Sequence, residues 1–95
     1  MKKEIINDDD ELMSIMYIDD NNRYHREDGP AYRKLSFDGE LDIDMYYIHG
    51  ALHNEFGPAV VYYNQGVKMY YINGCCLTER EFLVKSRKIK LSRIG

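Results

Sequence analysis

His25-Arg26-Glu27-Asp28-Gly29-Pro30-Ala31 returns 28 residues later as His53-Asn54-Glu55-Phe56-Gly57-Pro58-Ala59, and this duplication decides how the chain is read. A second block, Met45-Tyr46-Tyr47-Ile48-His49-Gly50, returns 24 residues later as Met69-Tyr70-Tyr71-Ile72-Asn73-Gly74. Self-similarity at such a period marks a stacked repeat rather than a single closed core. A weaker echo, Met16-Tyr17-Ile18-Asp19-Asp20, precedes the first copy. The two displacements disagree by four, which places an insertion in the connection Leu35–Asp44, around Asp38-Gly39, relative to the shorter Asn64-Gln65-Gly66 turn. Loop tips accept such insertions at small entropic cost.

Each unit reads as strand, tight turn, strand, wider turn. His49-Gly50 and Asn73-Gly74 lie between apolar runs, where a two-residue hairpin demands positive φ that Gly adopts freely and Asn tolerates. Gly29-Pro30 and Gly57-Pro58 pair a permissive residue with one that lacks an amide hydrogen, so they mark strand entry. Ala59–Tyr63 and Val67–Ile72 are β-branched, aromatic and too short for helices. Where a third His-x-Glu-x-Gly-Pro would fall, the chain reads Leu77-Thr78-Glu79-Arg80-Glu81-Phe82-Leu83. Thr78 and Glu81 form a capping box, and Phe82, Leu83 and Val84 are expected to seat a short helix on the last sheet edge. The expected fold is mainly β: consecutive antiparallel hairpins in an elongated ribbon, with a short C-terminal capping helix. Its divisions are an acidic segment at 1–12, expected to be disordered or only loosely attached, with Leu12, Met13, Ile15 and Met16 able to dock, then hairpin repeats at 13–77 and the helix at 78–90.

Tyr-Tyr-x-Asn-Gly together with Leu-His-x-Glu-x-Gly-Pro-Ala resembles the MORN-like variant repeats common in giant DNA viruses and bacteriophages. The resemblance covers roughly Met16 to Phe82; the second copy departs from the pattern at Asn54 and Phe56, and Trp is absent throughout. It implies a ribbon of β-hairpins, a viral or phage origin, a place in the host cytoplasm or virion, and an interaction or scaffold role without enzymatic activity.

Composition sets the outer limits. The 95 residues suffice for one domain, with 44% hydrophobic and 31% charged residues, and no apolar run is long enough to span a bilayer. The basic start Met1-Lys2-Lys3 turns acidic before any signal-peptide core forms, so an intracellular chain is expected. Cys75 and Cys76 are adjacent, which argues against an intramonomer disulfide and leaves a structural zinc site without ligands; two buried, reduced thiols are expected. No cofactor or metal is assigned.

Candidate function follows from three features. Nine tyrosines include the doublets Tyr46/Tyr47, Tyr62/Tyr63 and Tyr70/Tyr71, each expected to present one ring to each sheet face and so to offer anchors to a protein partner. His25, Gly29, Pro30, Gly50, His53, Gly57, Pro58 and Gly74 are expected to be structural, the imidazoles bonding a backbone group or nearby carboxylate and pinning the register. A rival use of His25 with Glu27 and His53 with Glu55, a metal or proton-transfer site, is weakened by its repetition, since a catalytic pair is normally unique. Finally, residues 1–44 carry thirteen acidic and six basic side chains, whereas residues 45–95 carry three and seven. Lys85, Arg87, Lys88, Lys90 and Arg93 concentrate the base at the end, where nucleic acid or an anionic surface could bind, or the acidic half of another copy in a homo-oligomer.

Overall fold

The computed structural model describes residues 3–8, 13–36 and 38–94. Among the described residues nine strands precede one helix: β1 Lys3–Asp8, β2 Met13–Ile18, β3 Tyr32–Leu35, β4 Leu41–Met45, β5 Tyr47–Ile48, β6 Ala51–Leu52, β7 Val60–Tyr62, β8 Val67–Ile72, β9 Cys75–Leu77 and α1 Glu79–Ile94. The main sheet runs β1-β2-β3-β4-β7-β8-β9, antiparallel at every pairing, and β5-β6 forms a separate two-stranded hairpin. The molecule measures 48 × 33 × 19 Å. Its short dimension is about that of one sheet plus one helix layer, so apolar burial is shared out along the sheet.

The turns follow their residues. His49 and Gly50 have φ of 46° and 85°, and Asn73 and Gly74 have φ of 50° and 80°, so both central residues of each tip are left-handed. That geometry matches the right-handed twist of the flanking strands. The mismatch of four between the repeat displacements lies in one hairpin: Tyr32 pairs with Met45, whereas the corresponding Val60 pairs with the much nearer Met69. A register shift at Lys34/Leu35 accommodates the longer connection.

Three departures from the sequence reading concern the ends. Lys3–Asp8, expected to be loose, pairs along its whole length with β2, from Lys3 against Ile18 to Asp8 against Met13. Its acidic composition conceals a strand whose partner supplies the ladder. Leu12 lies outside the described residues. The helix extends to Ile94 rather than 90. Thr78 and Glu81 cap it reciprocally, the Thr78 amide donating to Glu81 Oε1 at 2.9 Å and the Glu81 amide to Thr78 Oγ1 at 3.1 Å. Only Phe82 of the expected apolar trio is buried; Leu83 and Val84 are exposed, because Phe82, Ser86 and Ile89 recur at the spacing that faces the sheet.

Among the described residues the buried apolar side chains are Ile18, Ala31, Ala59, Val60, Ile72 and Phe82. One buried carboxylate joins the two units: Asp44 on β4 accepts from Arg33 Nε at 2.7 Å and from a second guanidinium nitrogen at 3.0 Å, both from β3. It also accepts from the Tyr63 hydroxyl, just beyond β7, at 2.7 Å. Burial and that hydrogen bond push the Tyr63 phenol up to about 12, and the same carboxylate raises the Arg33 guanidinium further.

Candidate partner-binding groove

The backbone hydrogen bonds of the two His-x-x-x-Gly-Pro-Ala blocks correspond pair by pair. Ala31 N–H donates to Met45 O and Ala59 N–H to Met69 O, both at 2.9 Å, while His25 N–H donates to Tyr17 O and His53 N–H to Tyr46 O, again both at 2.9 Å. Tyr17 N–H reaches Ala31 O at 2.8 Å and Tyr46 N–H reaches Ala59 O at 2.7 Å. Tyr17, Tyr46 and Tyr70 are therefore equivalent positions, and the strand registers carry them in one cross-sheet row with Ala31 and Ala59 between them. Both alanines have no exposed surface. A larger side chain there would meet a tyrosine on either side.

Each of the three tyrosines has a different neighbour on the face that carries α1. The Arg26 guanidinium lies over Tyr17, 4.1 Å from the ring centroid, and is held by Asp28 at 3.0 Å and by the Pro30 carbonyl at 3.4 Å. Tyr70 is covered by Phe82 of the helix, with ring centroids 4.9 Å apart. Between them Tyr46 faces an open groove of about 770 Å³. Asn54 stands where Arg26 stands in the first unit, but it is folded onto its own turn, Nδ2 donating to Pro58 O and Oδ1 accepting from the Phe56 amide, both at 3.0 Å. Ile48 and Val61 join Tyr46 in the lining, together with Phe56, Gly57 and Pro58 of the second turn, Arg26 to Gly29 of the first, and Arg93 of the helix. Phe56 is 77% exposed, the largest fraction among the exposed large apolar side chains of the described residues.

The histidines are backbone acceptors. His25 Nδ1 accepts the His49 amide and His53 Nδ1 accepts the Asn73 amide, each at 2.9 Å, so each repeat histidine holds the left-handed tip of the next hairpin. This bond requires the tautomer protonated at Nε2. In the second unit Nε2 faces Glu55 at 3.1 Å, and Glu55 also binds Arg93 at 2.6 Å. Burial raises the Glu55 carboxyl, but Arg93 and His53 outweigh it and the net shift is downward. His25 stacks on His49 with ring centroids 3.9 Å apart, and His49 Nδ1 bonds Asp19 at 2.9 Å. That bond holds Asp19 far below the ordinary carboxylate range, against the effect of burial and with help from the Arg23 and Asn21 amides. His25 and His53 thus serve separate tips. Among the described residues no three His, Cys, Asp or Glu side chains are grouped to hold a metal.

The tyrosine doublets divide between the faces as strand alternation requires, with unequal results. Tyr47 packs on Tyr24 at 5.1 Å, Tyr24 packs on Tyr32 at 6.0 Å, and Tyr62 and Tyr71 lie close enough to act electrostatically on Tyr47 or be acted on by it. Tyr47, Tyr62 and Tyr71, the doublet members of this group, lie on the face away from the helix, with Tyr24 beside Tyr47 and Tyr32 beside Tyr24. Of their partners, Tyr70 is beneath α1, Tyr63 is spent on Asp44, and Tyr46 is left at the groove. Gly50 and Gly74 close the tips, their amides donating to Tyr24 O at 2.8 Å and Leu52 O at 2.7 Å.

The basic cluster also divides. Arg93 is paired with Glu55 and Lys90 sits 5.5 Å from the Phe56 ring centroid, while Lys85, Arg87 and Lys88 are exposed. Cys75 and Cys76 are exposed free thiols, not buried as expected, because β9 is the outer strand of the sheet. Phe56 and Asn54 are the site residues that sequence reasoning passed over, visible there only as two departures from the repeat. No helix among the described residues is long and apolar enough to cross a membrane. Comparison with family models, curated proteins and solved structures found no match.

Proposed function

We propose that this chain is a non-enzymatic protein-binding or scaffold module, a ribbon of the MORN-like type that takes its partner on the helix-bearing face, in the groove floored by Tyr46 and flanked by Phe56. The observation that carries the reading is a difference among three equivalent, half-buried tyrosines: Tyr17 and Tyr70 each carry a ring or guanidinium from within the chain, and Tyr46 lines the groove beside an exposed phenylalanine. A half-buried tyrosine beside an exposed aromatic offers anchoring area at little rotamer cost. The repeat histidines support a structural reading, since their Nδ1 atoms already hold backbone amides. In a viral or phage setting the partner would be a host protein or a virion component.

Co-purification under near-native conditions tests this, comparing wild type with the Tyr46→Ala/Phe56→Ala variant. A partner retained by wild type and lost by the variant, with the thermal transition preserved in both, supports the groove; equal retention removes it. A second reading rests on the outward side of α1, where Lys85, Arg87 and Lys88 have no ion pair among the described residues. Binding of nucleic acid there should weaken steeply with salt and disappear in Lys85→Glu/Lys88→Glu. Salt-independent binding, or none, eliminates it.

A further inference from the structure

We infer that the groove receives an arginine side chain of the partner protein, its guanidinium stacked on Tyr46 as the chain's own Arg26 is stacked on Tyr17. This deepens the reading of the groove as a protein-binding site and rests on it. The first unit displays the filled version of the slot: a guanidinium 4.1 Å from the Tyr17 centroid, backed by Gly29, whose hydrogen would be replaced by a Cβ only 3.0 Å from the Arg26 guanidinium carbon. The second unit keeps the tyrosine, the Gly-Pro turn and the alanine but lacks the guanidinium. A Cβ on Gly57 would have as its nearest neighbour Asn54 Nδ2 at 3.9 Å, so the glycine backs a space that the short Asn54 does not fill.

The chemistry of the lining favours a cation over a neutral group. Glu27, Asp28 and Glu55 line the groove against Arg26 and Arg93, with Lys90 5.5 Å from the Phe56 ring centroid, and Glu27 is the one lining carboxylate in no ion pair among the described residues. Arg93 is committed to Glu55, and Arg26 to Asp28. At the position of Asp28 the second unit has the exposed ring of Phe56, which Lys90 approaches to 5.5 Å and which supplies a π surface where the first unit supplies a carboxylate. A planar guanidinium suits stacking between aromatic faces, whereas a lysine ammonium, more strongly hydrated and without a plane, suits it less. The occupant is accordingly an exposed arginine of a partner segment.

The experiment is an NMR titration of the full chain with a capped Gly-Gly-Arg-Gly-Gly peptide and its citrulline counterpart, which keeps the shape and lacks the charge. Saturable shifts are expected at the Tyr46 ring and at Val61, with the citrulline peptide at least about fivefold weaker. Asn54→Arg places a guanidinium in the slot from within, so it should abolish the shifts while leaving the thermal transition at or above that of wild type. Should that variant fail to fold, Tyr46→Leu should abolish them equally. Absence of saturation, equal binding of citrulline, or unchanged binding by a folded Asn54→Arg overturns the arginine assignment. Concentration-dependent self-association that Asn54→Arg abolishes would instead give the slot to another copy and overturn the partner assignment. If the peptide fails yet the Tyr46/Phe56 variant still loses its co-purified partner, the module reading stands and the arginine falls; if no partner depends on these rings, both fall.

Discussion

The two units share their backbone bonds and differ in what lies on the central tyrosine. In the first, Arg26, Asp28 and Gly29 build a closed stack over Tyr17; in the second, Asn54, Phe56 and Gly57 occupy the same places and leave Tyr46 open. The hydrogen bonds that fix shape are indifferent to this exchange, because Arg26 N–H and Asn54 N–H donate alike, to Tyr47 O and Tyr71 O, each at 3.1 Å. Repetition at the backbone therefore leaves two of these side-chain positions, Arg26/Asn54 and Asp28/Phe56, free to differ, and the groove is the difference.

The largest effect should come from cutting the link between the units. Asp44→Ala removes the acceptor shared by Arg33 and Tyr63 and should cost about 2–3 kcal/mol in urea unfolding, less than a fully buried pair because Arg33 reaches solvent. A loss under about 0.5 kcal/mol would show that the units hold together without it.

Next come the repeat histidines, which separate the units by burial. His25→Ala removes a buried imidazole and orphans the His49 amide of a part-buried bond, and should cost about 2 kcal/mol, while His53→Ala orphans the exposed Asn73 amide, which water can satisfy, and should cost about 1 kcal/mol or less. Equal losses would mean that the second unit is as well sealed as the first.

Smaller still is the conversion of one roof into the other. Arg26→Asn should destabilise by about 0.5–1 kcal/mol and raise the reactivity of Tyr17 to iodination or quencher toward that of Tyr46. The subtlest effect is on pH dependence. Because the folded chain holds the Asp19 carboxyl below its unfolded value, the unfolded chain takes up the proton first as pH falls. The stability that Asp19 contributes is complete above about pH 5 and is lost progressively below about pH 4. Asp19→Asn should flatten that limb of an acid titration, and Glu55→Gln should do the same to a lesser degree in the second unit; an unaltered limb in both would place the acid sensitivity elsewhere.

What the residues disclose in advance is whatever the backbone repeats. Positive φ at His49-Gly50 and Asn73-Gly74, the imidazole to backbone bonds, the division of each tyrosine doublet and the Thr78–Glu81 cap all rest on local chemistry and short spacing. What stays hidden depends on partners distant in sequence. β1 is a strand because β2 is beside it; Cys75 and Cys76 are exposed because their strand is outermost; Leu83 and Val84 turn outward because Phe82 and Ser86 take the inner side. Arg93 reaches Glu55 across 38 positions, which no spacing rule anticipates. The groove lies between these cases: its two distinguishing residues are visible as mismatches in an alignment of the chain with itself, but only the covered state of Tyr17 and Tyr70 gives the mismatch a meaning.

The alternation of tyrosine and alanine across the sheet has a consequence for how such a molecule can change length. Every rung presents the next one with the same small residue to close upon, so a duplicated unit could be spliced between β6 and β7 without redrawing any existing contact except at the join. Each inserted unit would bring its own choice of Arg or Asn at the roof position, and thus its own closed or open socket. A lineage built this way could alter the number and spacing of its docking points by copying alone, leaving the helix to finish whichever rung happens to be last.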